Sequence, residues 1–103
     1  MIALVPFPFS DLSAAKLRPA ILIADVGKDD WLLCMVTSNP YGDPRSIQIG
    51  TNDLIRGSLR QTSYARPGKL FTAHVSLIGR EIGCLIPTAF DRVRDAIVKM
   101  VRP

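Results

Sequence analysis

Two short polar segments stand where apolar runs begin and end. Lys16-Leu17-Arg18-Pro19 leads into the run AILIA at residues 20–24, and Thr37-Ser38-Asn39 follows the run WLLCMV at residues 31–36. Between the runs lies DVGKDD, residues 25–30, a turn by composition. The runs therefore read as the strands of an antiparallel hairpin. In such a hairpin the start of the first strand lies beside the end of the second, which makes Arg18 and Thr37 neighbours. A guanidinium beside a hydroxyl offers positive charge and hydrogen bonds to an anionic oxygen. Spacing alone leaves a second reading open, in which Arg18 is a surface charge and Thr37 and Ser38 satisfy a turn.

The remaining residue types exclude most other chemistry. His74 is the only histidine, so a pair of histidines acting as acid and base is ruled out. The chain has no HExxH, no GxSxG and no phosphate-binding glycine loop. Its nine carboxylates include no pair spaced as in a glycosidase or a metal site. Cys34 and Cys84 are far apart, each in an apolar run, and read as buried free thiols suited to a reducing cytosol. No Cys/His cluster suggests zinc. Any reaction here rests on positioning and charge stabilisation, without metal or cofactor.

At 103 residues the chain is expected to form a single domain, residues 1–103, and 48% apolar content argues against disorder. The formal charge of +4 discriminates little, but its distribution says more. No acidic side chain lies between Asp53 and Glu81, whereas Arg56, Arg60, Arg66, Lys69 and Arg80 do. Such a stretch either steers a polyanion or meets its counter-charges elsewhere in the fold. The apolar start is broken by Pro6 and Pro8 and lacks a basic lead, so no signal peptide is expected. No stretch approaches a membrane span, and a cytoplasmic protein without membrane contact is expected.

Those candidate residues need elements to hold them. Residues 2–5 (IALV) suit a strand, after which Pro6 and Pro8 confine the chain to an edge or loop. Residues 10–19 read as a loop, residues 20–24 and 31–37 as strands covered on both faces, and residues 38–45 as a second loop. Residues 46–49 form a short strand, and residues 50–62 are ambiguous between a helical turn and a loop. Two strands, 63–65 and 69–74, flank Pro67-Gly68, and 77–85 is an apolar stretch interrupted by Gly79 and Gly83. Phe90, Val93, Ile97, Met100 and Val101 then recur at helical spacing, with Thr88 and Asp91 placed as a capping box. About six short strands followed by one amphipathic helix predict a mainly β domain. Its architecture is a small, strongly bent antiparallel barrel with a C-terminal helix packed on it.

The opening IALVPFPFSDLSAAKLRPAILIA resembles the start of MazF/PemK-type toxins, in which an apolar strand leads through PFPFSDL to an arginine-proline pair. WLLCMVTSN resembles the next block, which ends in a threonine and a small polar residue; SYARPGKLFT, SLIGREIGCL and RVRDAIVKMV resemble the later ones. The likeness runs in order over nearly the whole chain. It implies an SH3-like barrel of the CcdB/MazF plasmid-maintenance type, a homodimer, and a growth-inhibiting endoribonuclease (an mRNA interferase) cutting single-stranded RNA. It also implies a cognate acidic antitoxin and operator DNA contacted through the antitoxin complex. By matched position, Arg18 and Thr37 would be catalytic, and Lys16, Ser38, Arg66 and Lys69 substrate-binding.

The implied chemistry agrees with the residue types. RNA carries its own nucleophile in the 2′-OH, a guanidinium clamps the oxygens on which charge builds, and no metal is required. Two features depart from the family. Arg66 stands near a position where some relatives are acidic, and His74 matches no catalytic position, which suits a structural or stacking role. A gyrase-poisoning or otherwise non-catalytic binding toxin shares the fold, and the Arg18/Thr37 pair favours the cleaving branch.

Overall fold

Residues 20–24 and 31–37 lie at the centre of a single antiparallel sheet. The structure, a computed structural model, describes residues 1–8 and 15–102. Strand β1 is Ile2–Pro8, β2 Ala15–Gly27, β3 Asp30–Thr37, β4 Ile47–Ile49, β5 Leu54–Gly57, β6 Ser63–His74 and β7 Glu81–Leu85. Helix α1, Pro87–Val101, ends the fold. The sheet order is β4-β6-β3-β2-β1-β7-β5. Its two edge strands, β4 and β5, are consecutive in the chain and joined only by residues 50–53, so the sheet has curled until its edges lie near one another. That closure is the expected bent barrel, with seven strands rather than about six.

The unbroken apolar runs follow from a sheet covered on both faces. Successive side chains alternate. Ile2, Ile21, Cys34, Val36 and Ile49 pack with Ala89, Val93 and Ile97 of α1 in one core. Their chain neighbours Ala3, Ala20, Leu22 and Leu33 join Val5 and Ala73 in a second, flanked by Trp31 and Phe71. The β2–β3 turn uses positive φ at Lys28 (56°) and Asp29 (61°), the twist a two-residue hairpin favours. Asp25 Oδ1 accepts from the Gly27 N–H at 2.8 Å beside it.

Four expectations need correction. The loop expected over residues 10–19 is strand from Ala15 onward, paired with β1 from Pro8↔Ala15 to Leu4↔Pro19; its earlier part lies outside the described residues. Cross-strand pairing overrides the polar composition there. The prolines fit, because pairing of β2 with β3 begins only at Ala20↔Met35 and pairing of β1 with β7 stops at Ala3↔Glu81. Pro6, Pro8 and Pro19 thus sit in a two-stranded arm where each strand has one neighbour. Phe7 on this arm meets Phe71 of β6 edge-on, with ring centroids 4.4 Å apart.

The two strands expected around Pro67-Gly68 are one strand, β6, interrupted by a bulge. Cys34 pairs with Leu70 and Val36 with Ala65, which leaves residues 66–69 opposite Met35 alone. The capping box of Thr88 and Asp91 does not form. Ile86 is the N-cap with no side-chain bond, Pro87 opens the helix, and Asp91 pairs with Arg94 at 2.6 Å. Ala89, Val93 and Ile97 face the core; Phe90 and Met100 are half-buried and Val101 exposed. Finally, Cys84 is half-buried rather than buried, while Cys34 is buried, and both thiols are free. The ambiguous stretch 50–62 holds a 3-10 turn, Thr51–Asp53, and strand β5. Among the described residues no helix is long and apolar enough to cross a membrane.

Candidate active site

The register carries Arg18 to Thr37. Ala20 pairs with Met35, and two residues further along each strand lie Arg18 on β2 and Thr37 at the end of β3. Arg18 pairs with Val5 across β1. Directly paired residues share a face, so Arg18 belongs to the face that carries Ala3, Val5 and Ala20. Arg18, Thr37 and Ser38 all line one cleft of about 730 Å³. Leu4, Leu17, Pro19, Val36 and Ile82 supply its apolar lining.

Thr37 is buried, and its Oγ1 accepts from the Asn39 N–H at 3.2 Å. The hydroxyl therefore does cap the turn, as the plainer sequence reading had it. That bond occupies a lone pair and leaves the hydroxyl proton available to donate. Capping fixes the side chain; the proton equips it for an anionic oxygen.

The opposite wall comes from β7 and the β5–β6 connection. Arg80 and Glu81 line it, with Ser58, Arg60, Gln61 and Ser63. The connection is held by the Ser58 N–H, which donates to the Ile82 carbonyl at 3.2 Å. Gly57 turns the chain at φ +86°, and a Cβ there would stand 2.2 Å from that same carbonyl oxygen, so glycine is required. Glu81 Oε1 accepts from Arg56 Nη2 at 2.7 Å across the β5–β7 pair.

Of the other predicted substrate contacts, none lines this cleft. Lys16 lies on the β1–β2 arm, paired in register with Phe7. Lys69 is exposed in the β6 bulge. Arg66 donates through Nε to Asp43 Oδ2 at 3.2 Å and lies over the Tyr41 ring at 5.5 Å. Asp43 also accepts from the Arg45 N–H at 2.9 Å. That backbone bond first, and then Arg66, hold the Asp43 carboxyl below its ordinary range. Arg66 thus braces the loop after Thr37 from behind.

Arg60, Arg80 and Glu81 were not singled out as site residues in the sequence. The signal present was the acid-free stretch. The fold splits it: Arg56 and Arg66 meet Glu81 and Asp43, while Arg60 and Arg80 reach the cleft. His74 is remote from this chemistry. It ends the strand that Ser63 begins, and its Nδ1 accepts from the Ser76 N–H at 3.1 Å, a structural cap. The Cys34 thiol donates to the Arg66 carbonyl at 3.3 Å, and burial pushes its pKa up to about 12, which makes it inert as a nucleophile.

No family model matches the chain, and no curated protein matches it in sequence. Solved structures do match in fold. An endoribonuclease from a mycobacterial species, in complex with its cognate antitoxin, superposes with a TM-score of 0.72 at 12% identity, over 97% of this chain and 87% of its own. The Mycobacterium tuberculosis toxin MazF-mt6 gives 0.71 at 16% identity, over 96% and 95%. A further mycobacterial endoribonuclease gives 0.68 at 14%, over 96% and 88%. The chain therefore has the MazF-like toxin fold, a mainly antiparallel sheet with one C-terminal helix.

Proposed function

We propose that this protein is the toxin of a toxin–antitoxin system and an endoribonuclease that cleaves single-stranded RNA. The observation that carries the proposal is the cleft that joins Arg18, Thr37 and Ser38 in a chain of this fold. Arg18 clamps the non-bridging oxygens of the scissile phosphate with paired, charge-assisted hydrogen bonds. The Thr37 hydroxyl donates a further bond to the same group, and Ser38 lines the entry. The substrate's own 2′-oxygen attacks phosphorus, the bond to the 5′-oxygen breaks, and the products are a 2′,3′-cyclic phosphate and a 5′-OH. Lys16, Arg66 and Lys69 lie outside the cleft and are assigned to the approach of the strand at most.

An acidic antitoxin segment is the expected inhibitor, since a basic cleft attracts an acidic chain for the reason it attracts RNA. A homodimer, a cytoplasmic location and operator DNA bound through the antitoxin complex belong to the same proposal. The test is an RNA with a single 2′-deoxy substitution at the cleaved nucleotide. Cleavage there should vanish while binding changes little, and cleavage of the parent RNA should survive excess EDTA. Cleavage at the deoxy position, or loss of activity in EDTA, would assign the nucleophile to water, a side chain or a metal. Inhibition of gyrase with no cleavage of any RNA would mark a binding toxin instead.

A further inference from the structure

Thr37 ends β3, and Ser38 opens the loop over residues 38–46 that leads to β4. The hydrogen bonds of this loop form a chain that starts at the Thr37 hydroxyl. The Asn39 N–H donates to Thr37 Oγ1 at 3.2 Å, and Asn39 Oδ1 accepts from the Tyr41 N–H at 2.9 Å. Tyr41 and Gly42 then take left-handed φ values of 55° and 70°. A tyrosine adopts that conformation only where its surroundings hold it there. Asp43 closes the chain. Its N–H donates to the Pro40 carbonyl at 2.9 Å, its carbonyl accepts from the Ser46 N–H at 3.2 Å, and Oδ1 accepts from the Arg45 N–H at 2.9 Å.

Those bonds are internal to the loop, and Arg66 of the β6 bulge ties it to the sheet. Arg66 Nε donates to Asp43 Oδ2 at 3.2 Å, and the same guanidinium lies 5.5 Å from the Tyr41 ring centroid. One side chain therefore meets the loop both at its strained residue and at the residue that closes it. The bulge is itself anchored, because the Arg66 carbonyl accepts from the buried Cys34 thiol at 3.3 Å. The Arg66 and Asp43 side chains are 19% and 13% exposed, against 50% and 21% for Arg92 and Asp53. An exposed ion pair constrains little, whereas an enclosed one is costly to break.

We infer that Arg66 and Asp43 are positioning residues for RNA cleavage and act through Thr37. The pair holds the loop, the loop fixes the Asn39 amide, and that amide fixes the rotamer from which the Thr37 hydroxyl reaches the scissile phosphate. Neither residue lines the cleft. Misplacing a reacting group by about 1 Å can cost a hundredfold in rate, so a loosened loop costs turnover rather than affinity. The inference rests on the ribonuclease assignment and gives Arg66 a duty apart from contact with the strand.

The experiment compares two carboxyls that are clamped alike. Asp43 accepts from the Arg45 N–H and Arg66, and Asp53 from the Gly50 N–H and Arg92, but only Asp43 belongs to the loop that follows Thr37. On an unstructured oligoribonucleotide, at a temperature where every variant is folded, Asp43→Asn and Arg66→Met should each lower kcat about tenfold with KM within about twofold. Asp53→Asn should leave both constants within about twofold. The double variant Asp43→Asn/Arg66→Met should match the single ones, because the two residues act as one unit. Adding Asp43→Asn to Thr37→Val should cost nothing further. Exchange of the Asn39 amide, followed by NMR, should quicken about tenfold in Asp43→Asn and Arg66→Met and stay unchanged in Asp53→Asn. Equal losses of kcat in Asp43→Asn and Asp53→Asn, a further loss in the Thr37→Val background, or unchanged Asn39 exchange overturns the positioning role. So does a rise in KM at constant kcat, which would make Arg66 a substrate contact. A wild type that cuts no RNA overturns the ribonuclease assignment and this role with it, whereas an active wild type matched by its variants overturns this role alone.

Discussion

The duties proposed for Arg18 and Thr37 are separable by substitution. In the proposed mechanism Arg18→Ala removes the charge that faces the developing phosphorane, and a loss of about a hundredfold or more in kcat is expected, with an unchanged circular dichroism spectrum. Full activity in a folded variant would take Arg18 out of the site. Thr37→Val keeps shape but loses both the cap on the Asn39 N–H and the proton offered to the substrate. Thr37→Ser keeps both and should retain activity within about tenfold, whereas valine should lose about a hundredfold. The two thiols differ in the same residue-level way. Cys34, buried with its pKa pushed up to about 12, should resist iodoacetamide in the native protein, and half-buried Cys84 should react first. Labelling at Cys34 ahead of Cys84 would contradict this order.

Among the elements, the connections set the cleft more than the strands do. Gly57→Ala meets both a positive φ of 86° and a Cβ 2.2 Å from the Ile82 carbonyl oxygen. A loss of about 2–4 kcal/mol in urea unfolding is expected, from backbone strain together with the displaced β5–β7 pair. Gly50→Ala, with negative φ and open space around its Cβ, should change stability by less than about 1 kcal/mol. A comparable loss in both variants would refute the steric argument. Two carboxyls clamp the connections through charge. Asp43 is held below 3.8 by the Arg45 N–H and Arg66, and Asp53 by the Gly50 N–H and Arg92. Their contribution to stability is complete above the unfolded value and is lost as pH falls through the lower folded values. Thermal stability should therefore drop below about pH 4 more steeply in wild type than in Asp43→Asn/Asp53→Asn, which has already lost both clamps. Parallel curves would exclude the pairs as the cause.

At the scale of the whole molecule, charge and exposed apolar surface point to partners. Ile55, Val75, Leu77, Val98 and Val101 are exposed large apolar side chains on a chain of 103 residues. Sedimentation equilibrium at micromolar concentration should show a homodimer, and a clean monomer would count against it. An acidic peptide should compete with RNA for the cleft, with an affinity that falls as salt rises. A bound antitoxin that leaves cleavage intact would show that inhibition acts elsewhere.

What was legible in the sequence was whatever depends on neighbours along the chain. Continuous apolar runs marked β2 and β3 as strands buried on both faces, a polar turn joined them, and the hairpin rule set Arg18 beside Thr37. Helical periodicity located α1. The rest depended on neighbours in space. Lys16 and Arg18 lie in a strand because β1 pairs with them, against the polar composition of their segment. Residues 66–69 became a bulge because Cys34 and Val36 take Leu70 and Ala65 as partners. Arg66 and Arg80, alike in sequence as arginines of an acid-free stretch, were separated by the fold. Asp43 took the first, and the closing of the sheet brought the second to the wall opposite Arg18. Local pattern determines which residues form strands and which side chains alternate. Only closure of the barrel, which joins β4 to β5 through residues 50–53, decides which charges are neutralised and which face the cleft.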